Sequence, residues 1–411
     1  MASGQGSRPE VGSVLFTNGD TRYEFIQDLG TGRHGERLLV VRPRTRARAQ
    51  AQVVLKCLAL PALASISEKY TRPRARLEEE VRLAQYLQHP GIARVHGLFE
   101  IGYGVCVAVE SVEGFTLNTL LAIAQARGRY FSDAFVLYVG AQVAVALAYA
   151  HTRTDDAGIP LGIVNRDINP ARIRLEPSGC VKLMDFGVAF SRLAGRLNTT
   201  LPRPQGEVMY AAPEALLGEI VDARADLFSL GLTLLEFATG RHLYAPGDLK
   251  IEDLEARLSK EEREKVLAAS VASLVTELPQ YVEDAVWCAM AYRSEDVERA
   301  ATGLSVPLRD ILHTLLQRNP ADRFSSAAEL EEMLRTALAR FGSYGGEDAV
   351  REVQLALVDA GERLAELELP GDEGGITIPP GIDLCGPDGI ETRESTTEPH
   401  PDEIPTQPAP E

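Results

Sequence analysis

Apolar and polar residues change rhythm near Gly114. Before it, YEFIQDLG (from Tyr23) and RLLVVRP (from Arg37) alternate with the period of two that suits half-buried strands, and a glycine-rich turn joins them. QVVLKCLAL (from Gln52) reads as a third strand. RARLEEEVRLAQYLQ has helical spacing instead, with Leu77, Val81, Ala84 and Leu87 on one face, and His89-Pro90-Gly91 stops it. IARVHGLFE and VCVAVE return to strand rhythm. After Gly114 the pattern predicts helices over 117–127, 133–151, 225–239, 307–317 and 326–340, with additional helices over 249–301, including the charged IEDLEARLSKEEREKVLAAS. The expectation is an α+β chain: a strand-built lobe over 21–112, then a helical lobe over 113–340 with an insert at 249–301. An amphipathic helix is expected at Glu347 to Leu367, within 341–369. Residues 1–20 read as a flexible lead-in, and 370–411, rich in Pro, Gly and acid, as a disordered tail. No internal repeat is evident.

Composition narrows the function classes. Of 411 residues, 45% are hydrophobic and 25% charged, as in globular proteins. The longest apolar run, Ala134 to Ala150, is broken by Gln142 and suits a buried core helix rather than a membrane span. The N-terminus has no apolar core of the kind a signal peptide needs. Five cysteines (Cys57, Cys106, Cys180, Cys288 and Cys385) are scattered without a C-x-x-C pair, which suits reduced thiols and a cytoplasmic location. The net charge of −17 is uneven: from Phe341 onward 17 acidic residues face 3 basic ones, leaving −3 for the preceding chain. That balance argues against a nucleic-acid partner.

The candidate chemistry lies in an ordered series. Gly30, Gly32 and Gly35 stand between two predicted strands, where glycine lets backbone N–H groups approach phosphates. Lys56 follows in the third strand as a charge for phosphate. Glu80 on the next helix is a partner for it; Glu78 and Glu79 compete, and Glu80 is chosen because it falls nine residues before His89. Then come Arg166-Asp167 and, 18 residues after that Asp, Asp185-Phe186-Gly187. A carboxylate beside a turn-forming glycine suits a magnesium ion. Ala212-Pro213-Glu214, ADLFSLG (from Ala225) and Asn319 to Arg323 complete the order.

On these motifs the region from Tyr23 to Ala339 resembles the protein kinase superfamily, in its Ser/Thr branch and of bacterial type. The resemblance implies a bilobal fold with ATP and Mg²⁺ in the cleft between the lobes. It implies Lys56 on the α- and β-phosphates, held by Glu80, with Asp185 on the metal and Asp167 as the base that orients a substrate hydroxyl. It puts Val109 and Glu110 at the hinge, pairs Glu214 with Arg323, and has Asp226 hold the catalytic loop from below. Residues 188–211 correspond to the activation loop, Thr199 and Thr200 are its candidate phosphosites, and Arg166 would receive their phosphate.

The departures from that pattern cluster. Asn165 replaces a His, Asn169 a Lys, and Arg172 the Asn that would ligate a second metal; Arg has no acceptor for a cation and instead offers its guanidinium to phosphate oxygens. Glu207 replaces a Thr that steadies Asp167. Arg37, Val54 and Arg174 crowd the base pocket, either as a modified adenine sandwich or as a closed slot. Two readings follow: a kinase-like regulator or scaffold with impaired or absent catalysis, whose partner is a protein and possibly another kinase, or an active cytosolic Ser/Thr kinase with atypical metal use. A small-molecule phosphotransferase is a third, disfavoured by the Ala-Pro-Glu and ADLFSLG motifs. The Arg-rich stretches Arg42 to Arg48 and Arg72 to Arg76, the second just before the Glu80 helix, read either as solvated loops or as partners of the acidic tail, which would fold back on them; the helical insert is the alternative docking surface.

Overall fold

A computed structural model describes residues 9–32, 35–59, 68–101, 104–193, 205–245, 251–275, 280–361 and 363. Strands β1 (Val14–Asn18), β2 (Thr21–Thr31), β3 (Arg37–Arg44), β4 (Val53–Ala59), β5 (Val95–Ile101) and β6 (Gly104–Glu110) form an antiparallel sheet in the order β1-β2-β3-β4-β6-β5. β1 corrects the expected flexible lead-in at 14–18, while residues 1–8 lie outside the described residues: Leu15 and Phe16 pack against the small lobe's core, and the Phe16 ring stacks on Tyr23 at 4.3 Å. Helix α1 (Glu68–Ala84) lies over β5 and buries Leu77 and Leu83. It begins earlier than its apolar spacing indicates, so Arg72 to Arg76 are helical rather than a preceding loop. Arg74 there pairs with Glu78 and Glu100, each at 2.8 Å, so neighbouring acids already take up part of that charge.

The larger lobe is helical. A short sheet of β7 (Phe115–Thr116), β8 (Ile173–Leu175) and β9 (Val181–Leu183) lies beside the cleft. α2 (Leu117–Arg127) and α3 (Asp133–His151) pack on it, and α4 (Pro213–Leu216), α5 (Ala223–Thr239), α6 (Ile251–Ala256), α7 (Lys260–Val275), α8 (Gln280–Ala291), α9 (Ser294–Ala300), α10 (Val306–Leu315) and α11 (Ala327–Leu338) build the rest of the lobe. Ser132 caps α3 through Phe135 N–H at 3.2 Å. α3, long and apolar enough to cross a membrane, is instead largely enclosed by protein, with Phe135, Leu137 and Leu147 fully buried. α5 is buried along most of its length, which suits an element that other groups are hung from.

α12 (Gly346–Ala360) is capped at Gly361, and the remainder of the predicted helix, 364–367, lies outside the described residues. It docks on α2, with Glu352 accepting from Ser132 N and Oγ at 2.7 and 2.8 Å. The residues expected to form the tail, 370–411, lie outside the described residues.

The cysteine expectation is corrected at one pair. Cys57 on β4 and Cys106 on β6 are register partners with Cα atoms 4.2 Å apart, and they form a cross-strand disulfide. Sequence separation of 49 residues hid this neighbourhood. Cys180 and Cys288 are free thiols, and burial pushes Cys288 up to about 12.

Candidate active site

The side chains converge because three elements meet between the lobes. β4 carries Lys56, α1 carries Glu80, and the loops around β8 and β9 carry Asp167, Arg172 and Asp185. Lys56 Nζ lies 2.8 Å from Glu80 Oε1 and 3.2 Å from Asp185 Oδ1. Glu78 and Glu79, the competing carboxylates, turn elsewhere: Glu78 to Arg74, and Glu79 to Arg82 and Ser191. Burial opposes the Lys56 ammonium, but Asp185 and Glu80 outweigh it and hold its pKa above the usual lysine range. Burial likewise opposes the Asp185 carboxylate, and Lys56 and Arg172 overcome it, holding its pKa well below the usual range.

Arg172 enters the same space. Its Nε donates to Asp167 Oδ2 at 3.0 Å, and its NH1 lies 3.6 Å from Asp185 Oδ2. The guanidinium therefore stands between the two carboxylates on which the resemblance places metal and substrate. Among the described residues no cluster of three or more His, Cys, Asp or Glu is arranged to hold a metal ion. The donor set does not fit a pair of magnesium ions, since one ligand position is a cation and Lys56 and Arg172 cover both Asp185 oxygens.

The catalytic loop is fully braced. Asp226, wholly buried at the start of α5, accepts from Asn165 N at 2.7 Å, Arg166 N at 2.8 Å and His151 Nε2 at 2.8 Å. Asn165 meets its polar need locally: Nδ2 donates to Asp185 O, and Oδ1 accepts from Asp167 N, both at 3.0 Å. Asn169 Nδ2 donates to Asp167 Oδ1 at 3.1 Å. The same oxygen accepts from the Glu207 backbone N–H at 2.7 Å, so the loop after Gly206 steadies Asp167 by main chain where a threonine hydroxyl is absent. Gly206 is required there: its φ is +77°, and a Cβ would stand 2.1 Å from Arg166 O. Arg166 directs its guanidinium to Val188 O at 2.9 Å. Thr199 and Thr200 lie outside the described residues. Arg323 clamps Glu214 through two bonds of 2.7 and 2.8 Å under this loop.

The base side of the cleft is lined by Leu38, Val54, Val95, Val109, Met184 and the hinge from Glu110 to Val112. Arg37 is not the roof that the resemblance suggests. Its side chain turns outward to Asp28 at 2.5 Å, and Leu38, paired with Lys56 across β3 and β4, takes the inward position. Arg174 does floor the cleft; it is buried, and its NH1 donates to Val112 O at 2.9 Å, which places the guanidinium against the hinge. Glu110 points its carboxylate away to Lys182 and Arg94 N.

Gly30, Gly32 and Gly35 form the β2–β3 turn over this cleft, with Gly32 N donating to Glu36 O at 2.6 Å. Sequence reasoning passed over Glu36. It is 8% exposed and lines one pocket with Lys56, Arg76, Glu80, Asp185 and Gly187. The strand alternation that points Leu38 inward also signals it, once Arg37 is seen to face out.

Comparison with known proteins agrees with this geometry. The family model described as protein kinase domain matches residues 23–336. The chain is 35% identical over 245 residues to the tyrosine-protein kinase MasK of Myxococcus xanthus, covering 59% of this chain and 35% of that protein. It is 30% identical over 296 residues to the serine/threonine-protein kinase PknJ of Mycobacterium tuberculosis, covering 70% and 41%. A probable serine/threonine-protein kinase of Streptomyces coelicolor is 36% identical over 178 residues, covering 41% and 24%. The chain thus spans less than half the length of these relatives. With the Lys56–Glu80 pair, the Asp185 turn and the Asp226-braced loop all in one inter-lobe cleft, this chain belongs to the protein kinase superfamily.

Proposed function

We propose that this chain is a kinase-fold regulator whose cleft accepts a nucleotide while phosphotransfer is impaired or absent. The observation that carries the reading is the Arg172 guanidinium, 3.0 Å from Asp167 and 3.6 Å from Asp185. It neutralises both carboxylates from within and competes with Mg²⁺ for them. Losing one preorganised contact in a catalytic site typically costs about 10²–10³ in rate. Here the metal position and the lysine normally near the transferred group are both altered, at Arg172 and Asn169. Signalling output then rests on the shape of the two lobes and on a protein partner, a second kinase among the candidates. The helical insert supports a docking role, because Leu267 and Val271 lie one turn apart and exposed on α7.

A specific observation also favours an active Ser/Thr kinase with atypical metal use. Lys56, Glu80 and Asp185 are assembled at 2.8 and 3.2 Å, and Asp167 is held on both oxygens. One measurement separates the readings: ATP binding by thermal shift, with and without Mg²⁺ or Mn²⁺, alongside autophosphorylation with labelled ATP. The regulator reading expects metal-independent binding and no phosphate incorporation. Metal-dependent binding with incorporation would establish the enzyme instead. R172N, which returns an acceptor to the metal position, should make binding metal-dependent. If R172N leaves metal dependence unchanged, Arg172 is not what excludes the ion.

A further inference from the structure

Leu38 on β3 lines the base side of the cleft, and Glu36, two residues back and just before the strand, lines a pocket with Lys56 and Asp185. Arg37, between them, is exposed and paired with Asp28. Glu36 therefore projects under the glycine-rich turn rather than away from it. A Cβ built on Gly32 would lie 2.8 Å from both Cδ and Oε1 of Glu36, so the carboxyl fills the space directly beneath that glycine. The pocket it lines is walled by Lys56, Arg76, Glu80 and Asp185. This is the end of the cleft where the glycine turn and Lys56 would meet a nucleotide's phosphates.

We propose that Glu36 is a specificity-determining residue: its carboxylate takes the place of a phosphate beneath the glycine-rich turn. The cleft therefore selects a nucleoside or nucleoside monophosphate over a nucleoside triphosphate. The inference rests on the nucleotide-cleft reading above. Charge supports it independently of the metal. Around the phosphate end, Lys56, Arg76 and Arg172 face four carboxylates: Glu36, Glu80, Asp167 and Asp185. Among the described residues these cations are matched before a ligand arrives, and a polyphosphate would bring further negative charge into a buried site where like charges repel strongly. A neutral nucleoside brings no charge to that end and is met by the base slot and hinge, lined by Leu38, Val54, Val109 and Val112 with Arg174 on the floor. The glycine turn, usually suited to phosphate because nothing projects beneath it, here has an occupant.

Titration calorimetry of the full chain with adenosine, AMP and ATP, in EDTA and in Mg²⁺, tests this, using wild type, E36Q and E36A. In wild type, ATP should bind no more tightly than adenosine. In E36Q, which keeps the shape and removes the charge, ATP should tighten by ~10-fold or more while adenosine stays within ~2-fold, the latter also reporting an intact cleft. E36A should behave like E36Q. ATP binding wild type ~10-fold more tightly than adenosine, or an E36Q effect equal for all three ligands, would overturn the proposal while leaving the nucleotide cleft standing. If adenosine and ATP fail to bind wild type and both variants, the cleft reading falls and this inference with it.

Discussion

At position 323 a single arginine shows what a buried charge requires in this molecule. Its guanidinium clamps Glu214 at 2.7 and 2.8 Å, donates to the carbonyls of Gln317, Arg224 and Arg318, and lies 4.6 Å from the Phe228 ring centroid. Removing one partner of such a pair strands the other charge. E214A should therefore destabilise the chain by about 3–5 kcal/mol, read as a lowered urea midpoint. The E214A/R323M double variant should lose less than the two single losses added together; additive losses would mean that the two residues act separately. Arg172 obeys the same rule in the cleft, where its countercharges are the catalytic-type carboxylates. That gives it a structural role alongside its effect on metal binding.

Elements are held to one another here by close backbone approach as much as by side chains. Gly179, in the β8–β9 turn, has φ +85°, and a Cβ there would meet the Gly346 carbonyl carbon at 2.5 Å. Tyr138 OH donates to Gly179 O at 2.8 Å, tying the same turn to α3. G179A should push the start of α12 off the large lobe. Hydrogen exchange over 346–360 should then rise at least several-fold, with β1–β6 unchanged; unaltered protection of α12 would show that α2 alone docks it. The β2–β3 hairpin shows the limit of reading elements from pattern. Alternation marks both strands, but the exact inward set depends on how the turn between them closes. That closure turned Arg37 out and Glu36 and Leu38 in.

At the scale of the whole molecule, buried histidine contributes a pH dependence to stability. Burial holds His242 down at about 4, with Nδ1 accepting from Tyr244 N at 3.0 Å and the Tyr210 ring 5.0 Å away. The unfolded chain binds this proton from about pH 6.5 downward and the folded chain does not, so the His242 contribution to stability falls as pH drops from about 6.5 toward 4, opposed by Glu80, Glu176 and Glu236, whose burial-raised pKa values favour the folded state in acid. The slope approaches about 1.4 kcal/mol per pH unit. His89 and His96, also lowered by burial, add in the same direction. Asp185, held low, continues the loss below pH ~4, as acid protonates it through its depressed pKa. Urea midpoints of wild type and H242N across pH 4–7 check this; parallel curves would clear His242 of the effect.

Much of this was legible in the chain before folding. Lys56, Glu80, Asp167, Asp185, Glu214 and Arg323 sit in an order and spacing that only a specific fold uses, and the main helices follow from periodicity because burial of one face enforces it. The boundaries of α1 and α12, and the pairing of β1, were less legible, since a five-residue strand in a glycine-rich setting and a charged helix start carry little periodic signal. Sequence alone determined which chemical groups are present and which lobe each belongs to, because local propensity and hydrophobic rhythm act over a few residues. Only the tertiary structure decided what meets what. It set the guanidinium of Arg172 between Asp167 and Asp185, the Glu36 carboxylate beneath Gly32, and Cys57 against Cys106. Those contacts join residues brought together by strand register, turn closure and lobe packing, which depend on the whole chain at once.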